Sequence, residues 1–126
     1  MKFQPDTFAG TNAISRLEPG AVWVNNRRFE GSLLVPWKGE VRPWSAAGLA
    51  TLAATHFDEV LALEPELVIF GSGARLRFIS AALYRSLIDA RIGLETMDSA
   101  AACRTYNVLA AEGRSVVAAL LPDTAR

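Results

Sequence analysis

Gly71-Ser72-Gly73 follows directly on the apolar run Glu66 to Phe70, and two arginines, Arg75 and Arg77, come just behind it. Glycines at the carboxyl end of a strand let backbone amides turn toward an anion, and guanidinium groups beside them supply countercharge. The dinucleotide fingerprint asks for a third glycine three residues after the second, where this chain has Leu76. Glu95 does stand about 20 residues further on, at the end of the next expected strand, which is where that fingerprint places its acid. A small anion or other polar ligand needs less than a nucleotide does, and a tight structural turn needs only the glycines.

The second cluster lies in "ETMDSAAACRTYNVLAAEGR", Glu95 to Arg114. Cys103 could be a nucleophile only with a stabilised thiolate; otherwise it is a small apolar filler among alanines. Asn107 disfavours a helix interior unless a tertiary partner holds its amide, and Tyr106 has an apolar ring with a polar tip. Arg104 and Asn107 share one helix face, opposite Ala101, Thr105, Val108 and Leu109. Tyr106 and Asn107 are therefore either buried hydrogen-bonding struts or the lining of a pocket. The ligand-binding candidates are Gly71, Ser72, Gly73, Arg75, Arg77, Arg104, Tyr106 and Asn107. No residue set here makes a catalytic triad, and His56, the sole histidine, cannot build a metal cluster alone. No cofactor or metal is expected. A third cluster, Trp23, Trp37 and Trp44 with Arg27 and Arg28, is either core filling for a small β layer or a protein interface.

The elements that must position these residues change character along the 126-residue chain, which is of one-domain length. The early part has short β-branched and aromatic runs broken by Asn25-Asn26, Gly31, Pro36, Gly39 and Pro43, predicting strands at Ala21 to Asn25, Arg28 to Val35 and Glu40 to Trp44. Apolar spacing of three and four predicts a helix from Ala46 to Leu61. Beyond Pro65 the order is strand (Glu66 to Phe70), helix (Ser80 to Ala90), strand (Ile92 to Met97), helix (Ser99 to Ala111) and strand (Arg114 to Leu121). That alternation predicts an α/β domain with a mainly parallel core sheet flanked by helices, to which the earlier strands add or beside which they form a second sheet.

Acidic and basic residues balance at 13 each, so the field that draws proteins to nucleic acid or anionic membrane is missing. Of the 13 bases, 11 are Arg, whose planar fork suits carboxylate, phosphate and interface contacts. A lone cysteine excludes an internal disulfide, and neither a membrane-spanning run nor a signal peptide is evident. The expectation is a soluble, cytoplasmic protein with no direct membrane insertion.

"PELVIFGSG" (65–73) and "GLETMDSAAACRTYNVLAAEGRSVVAALL" (93–121) resemble a small domain-of-unknown-function family that includes the mitochondrial respiratory complex I assembly factor 3 and many short bacterial proteins. Ser72 and Ser99 stand where that family usually has Thr, and both keep a hydroxyl. The resemblance implies a three-layer domain with a central mixed sheet, helices on one side and a smaller β and helical layer on the other. The chain is read as a single domain over residues 1–126, with a family-like core at about 14–121 and loosely ordered ends at 1–13 and 122–126. The resemblance implies no agreed reaction. By extension, the chain is expected to be a non-enzymatic protein-binding or assembly-factor-like domain, its partner belonging to a membrane-linked complex, or being a second copy of the chain. The alternative is a small-anion or nucleotide-like ligand-binding protein, or an enzyme, that uses the Gly71 loop and nearby arginines.

Overall fold

The computed structural model describes residues 1–2 and 10–123. Three short strands, β1 (Ile14–Glu18), β2 (Ala21–Val24) and β3 (Arg27–Glu30), form an antiparallel sheet in the order β1-β2-β3. Asn25 and Asn26 both take positive φ, 53° and 66°, which is the mirror-image turn that a two-residue hairpin between right-twisted strands requires. β1 lies upstream of every strand anticipated from the sequence.

The single strand expected from Arg28 to Val35 is two strands in two different sheets. Gly31, at φ 78°, donates its amide to Gly20 O and ends β3, after which β4 (Leu33–Pro36) enters a second sheet with β5 (Arg42–Pro43). That sheet runs β5-β4-β8-β6-β7, with β6 (Leu67–Gly71), β7 (Gly93–Met97) and β8 (Val116–Leu120). β6 is parallel to both β7 and β8, whereas β4 is antiparallel to β8 and β5. The sheet is therefore mixed, and its parallel half is the chain beyond Pro65.

Helix starts depart most from expectation. Residues 46–53 are not α-helical; a single 3-10 turn (Leu49–Thr51) precedes α1 (Ala54–Leu61). Ala53 is extended and its amide donates to His56 Nδ1 at 2.9 Å, so the lone histidine caps this helix. Likewise a 3-10 turn (Ala81–Tyr84) precedes the short α2 (Arg85–Asp89), in which Leu87 is buried and Ile88 is exposed. Helix α3 (Ser99–Ala111) matches its expected bounds: Asp98 Oδ1 accepts from Ala101 N at 2.9 Å, and Gly113, at φ 84°, supports the left-handed exit.

Layering follows from which side chains β8 sends each way. Val117 and Ala119 join Leu34, Trp44, Phe57, Val60, Phe70 and Leu87 under α1 and α2. Val116, Ala118 and Leu120 join Ile69, Ala102, Cys103, Tyr106 and Ala110 of α3, together with Ile14, Leu17, Val22 and Val24 of the small sheet. The fold is thus three-layered: α1 and α2, the mixed sheet, then α3 alongside the small sheet. The inner stripe of α3 is Ser99, Ala102, Cys103, Tyr106 and Ala110, whereas Val108 is 57% exposed. Small side chains there let the helix sit close on Ala118 of β8, a steric fit that apolarity alone does not signal.

Candidate functional site

Helix α3 presents Tyr106 and Asn107 to the protein, not to a hollow. The Tyr106 hydroxyl is fully buried, 2.9 Å from Asn12 O and 3.1 Å from Pro36 O, and burial pushes its ionisation well above the ordinary tyrosine range. Asn107 meets both backbone groups of Ile14: Ile14 N donates to Oδ1 and Nδ2 donates to Ile14 O, each at 2.8 Å. Its side-chain amide acts as a substitute strand for the first residue of β1. Cys103 is buried and its thiol is pushed up to about 12, chiefly by desolvation, which leaves it a protonated filler. Arg104 is exposed, with its guanidinium against the Met1 sulfur. Arg104, Tyr106 and Asn107 are therefore not part of a ligand site with the Gly71 turn, because each is engaged elsewhere.

The turn itself is held mostly by its own neighbours. A Cβ on Gly71 would lie 2.9 Å from both Leu120 Cδ2 and Ser99 Oγ, so the glycine is required by the close approach of α3 to the end of β6. Ser72 N donates to Met97 O and Gly73 N to Ser99 Oγ. The Ser99 hydroxyl passes the connection on to Leu121 O at 2.8 Å. Ser72 Oγ accepts from Arg77 N and lies 2.6 Å from Arg75 O and 3.1 Å from Met97 O. These hydroxyls lock the loop's shape and use up the amides at positions 73 and 77, while the Met97 carbonyl takes that of position 72.

What the locked loop leaves open is a cleft of about 440 Å³ between the Ala47–Leu49 segment and residues 72–75, with Arg77, Leu121 and Pro122 completing it. Arg75 and Arg77 are exposed there, and neither makes an ion pair among the described residues. Between and beyond them stand Leu76, 50% exposed, and Phe78, 78% exposed. Sequence reasoning passed over Leu76 and Phe78. The signal was present in "RLRF", where apolar residues fall in a loop after a strand-ending glycine turn and before the helix, with no periodic place in either element.

The tryptophan cluster does not form one patch. Trp44 is 4% exposed, donates Nε1–H to His56 O at 2.9 Å and packs edge-on to Phe57 and Phe70, so it belongs to the core and is withdrawn from the interface candidates. Trp23 is half-buried beneath the Arg16 guanidinium, and Trp37 is half-buried with Lys38 Nζ 4.7 Å from its ring centre. Arg27 stacks over Phe29. Arg28 pairs with Glu18 and Glu30, each at 2.8 Å, and that contact holds the Glu18 carboxyl below the usual carboxylate range. The cations on this side are already occupied. Among the described residues no cluster of His, Cys, Asp and Glu is arranged to hold a metal, and no helix is long and apolar enough to cross a membrane.

Residues 14–121 match the family described as "Protein of unknown function (DUF498/DUF598)". The chain belongs to this family. The DUF498/DUF598 match begins at Ile14, whose backbone Asn107 clasps, and ends at Leu121, whose carbonyl Ser99 holds, so it coincides with the span that those contacts tie together. An uncharacterised protein of Rhodobacter capsulatus is 36% identical over 91% of this chain and 88% of its own length. The Bos taurus NADH dehydrogenase [ubiquinone] 1 alpha subcomplex assembly factor 3 is 32% identical over 82% of this chain. The match spans only 56% of the bovine protein. A crystal structure of a Bordetella parapertussis protein, 35% identical, superposes with a TM-score of 0.85 over 93% of this chain and all of that one.

Proposed function

We propose that this domain is a non-enzymatic protein-docking module of the assembly-factor kind, and that it docks through the 73–78 loop and the adjoining cleft. The observation that carries the reading is Phe78, 78% exposed at the end of a loop whose two arginines have no ion-pair partner among the described residues. Covering a phenylalanine is worth about 1.5–3 kcal/mol, and arginines beside aromatic anchors are the usual composition of interface hot spots. The bovine relative named as an assembly factor supports the same direction. The partner is a protein of a membrane-linked complex, met from the cytoplasmic side without insertion of this chain into the bilayer.

A photo-crosslinking residue at position 78, introduced in the native host, tests this. The expected result is one crosslinked protein, recovered in stoichiometric amount, that also co-purifies with the wild-type chain and is lost with Phe78→Ser. Recovery of the chain alone under gentle conditions refutes the reading. So does a partner whose retention is indifferent to position 78.

A further inference from the structure

The cleft beside the loop has a chemistry of its own. Arg75 and Arg77 both line it, and no acidic side chain appears in its lining among the described residues. The backbone amides of Ala74, Arg75 and Leu76 have no acceptor among the described residues, although those of Gly73 before them and Arg77 after them are bonded to Ser99 Oγ and Ser72 Oγ. The turn that starts at Gly73, with φ 102°, thus leaves the amides of Ala74 and Arg75, both residues of the cleft lining, unbonded beside two guanidinium groups. The apolar wall is Leu49 and the buried Leu121, and the exposed Leu76 and Phe78 flank Arg77 in the same loop. At about 440 Å³ the cleft accepts a few side chains.

On the reading that this loop is the docking face, we infer that the cleft receives an acidic peptide segment of the partner. Its carboxylates seat on Arg75, Arg77 and the amides of Ala74 and Arg75, and its apolar side chains cover Leu76 and Phe78. Charge complementarity chooses this occupant: Arg75 and Arg77 both line the cleft with no carboxylate among its described lining to meet them, and Arg–carboxylate contacts are strong and directional. A free inorganic anion would satisfy the donors yet leave Phe78 in water, which is why a peptide fits better. The ion pairs lie near the surface, so the interaction weakens as salt rises.

The test uses fluorescence anisotropy with the full chain. The probes are a short fluorescein-labelled peptide alternating glutamate and leucine, and its glutamine-for-glutamate counterpart. The glutamate peptide should bind, more weakly at high salt, and the glutamine peptide should bind roughly tenfold more weakly or worse. The double variant Arg75→Gln/Arg77→Gln should lose a similar factor while its far-UV spectrum and melting temperature stay those of the wild type, because both side chains are exposed. Equal binding of the two peptides, unchanged binding by the double variant, or no binding of the glutamate peptide overturns the inference. So does stabilisation by inorganic phosphate that the double variant abolishes while the peptide does nothing. Crosslinking from position 78 separates the two claims. A partner retained by the double variant leaves the docking function standing and removes the acidic occupant. Absence of any partner removes the docking function first.

Discussion

Replacing Asn107 with alanine strips both backbone groups of Ile14 of their partner at once. Ile14 is fully buried, and the two bonds it makes with Asn107 are each 2.8 Å long. A net hydrogen bond contributes about 1 kcal/mol, and a buried polar group left without a partner costs about 1–3 kcal/mol. Asn107 is itself only half-buried, so water can reach part of the vacated space and the lower end of that range applies. The expected loss is about 2–4 kcal/mol, out of the roughly 5–15 kcal/mol typical of a domain. At this chain length that lowers the melting temperature by about 6–15 °C. Urea denaturation followed by circular dichroism should show the midpoint falling with the slope unchanged, since the surface exposed on unfolding is nearly the same. Asn107→Asp sharpens the test. Its carboxylate would face Ile14 O, a like-charged contact that only the protonated acid relieves by donating to that carbonyl. The folded protein then raises that acid's pKa above its unfolded value, so the stability it contributes is present at low pH and is lost as pH rises through the folded pKa. A loss below about 0.5 kcal/mol for the alanine variant, or an aspartate variant indifferent to pH, would refute the strut argument.

Tyr106→Phe leaves the ring in place but deprives Asn12 O and Pro36 O of the hydroxyl; a loss of about 1–2 kcal/mol by the same denaturation assay is expected. Gly71→Ala should cost about 1–3 kcal/mol in thermal unfolding, because the new methyl meets Leu120 Cδ2 and Ser99 Oγ at 2.9 Å and the Ser99 Cα at 3.1 Å. For Cys103 the thiol is raised from 9.0 to about 12, so native protein resists a thiol reagent at pH 8 until urea unfolds it. The sign is that of a folded pKa above the unfolded one: its contribution is full below about pH 9 and is lost as pH rises toward 12, and Cys103→Ala should flatten that alkaline decline in stability.

Legibility of the fold in the sequence tracked how local its causes were. Helix α3 was bounded correctly because Asp98 and Gly113 mark its ends within the chain's own neighbourhood. The parallel strands β6 and β7 were legible as short apolar runs between glycine and proline signals. The split at Gly31 was not: "RRFEGSLLV" is strand-like on both sides, and only the Gly20 carbonyl, supplied by another turn, decides that β3 and β4 part into different sheets. The missing first half of the Ala46–Leu61 helix has a similar origin. Trp44 and Ala46 are drawn into the core beneath α1, and an extended Ala53 held by His56 starts the helix eight residues later than Ala46.

The site divides along the same line. Tyr106 and Asn107 announced themselves as polar residues in the wrong surroundings, and their partners, Asn12, Ile14 and Pro36, are remote in sequence, so the need for partners was legible but their identity was not. Trp44 misled because exposure is a tertiary property that composition does not carry. Phe78 was missed for the converse reason: an apolar residue in a loop is ordinarily covered by some other element, and here none of the chain's described elements covers it. Ser72 and Ser99 complete the logic. By consuming the loop's inner donors they fix the backbone from which the exposed Arg75, Arg77 and Phe78 project, which, on the proposed docking role, lowers the ordering cost that a partner would otherwise meet on binding.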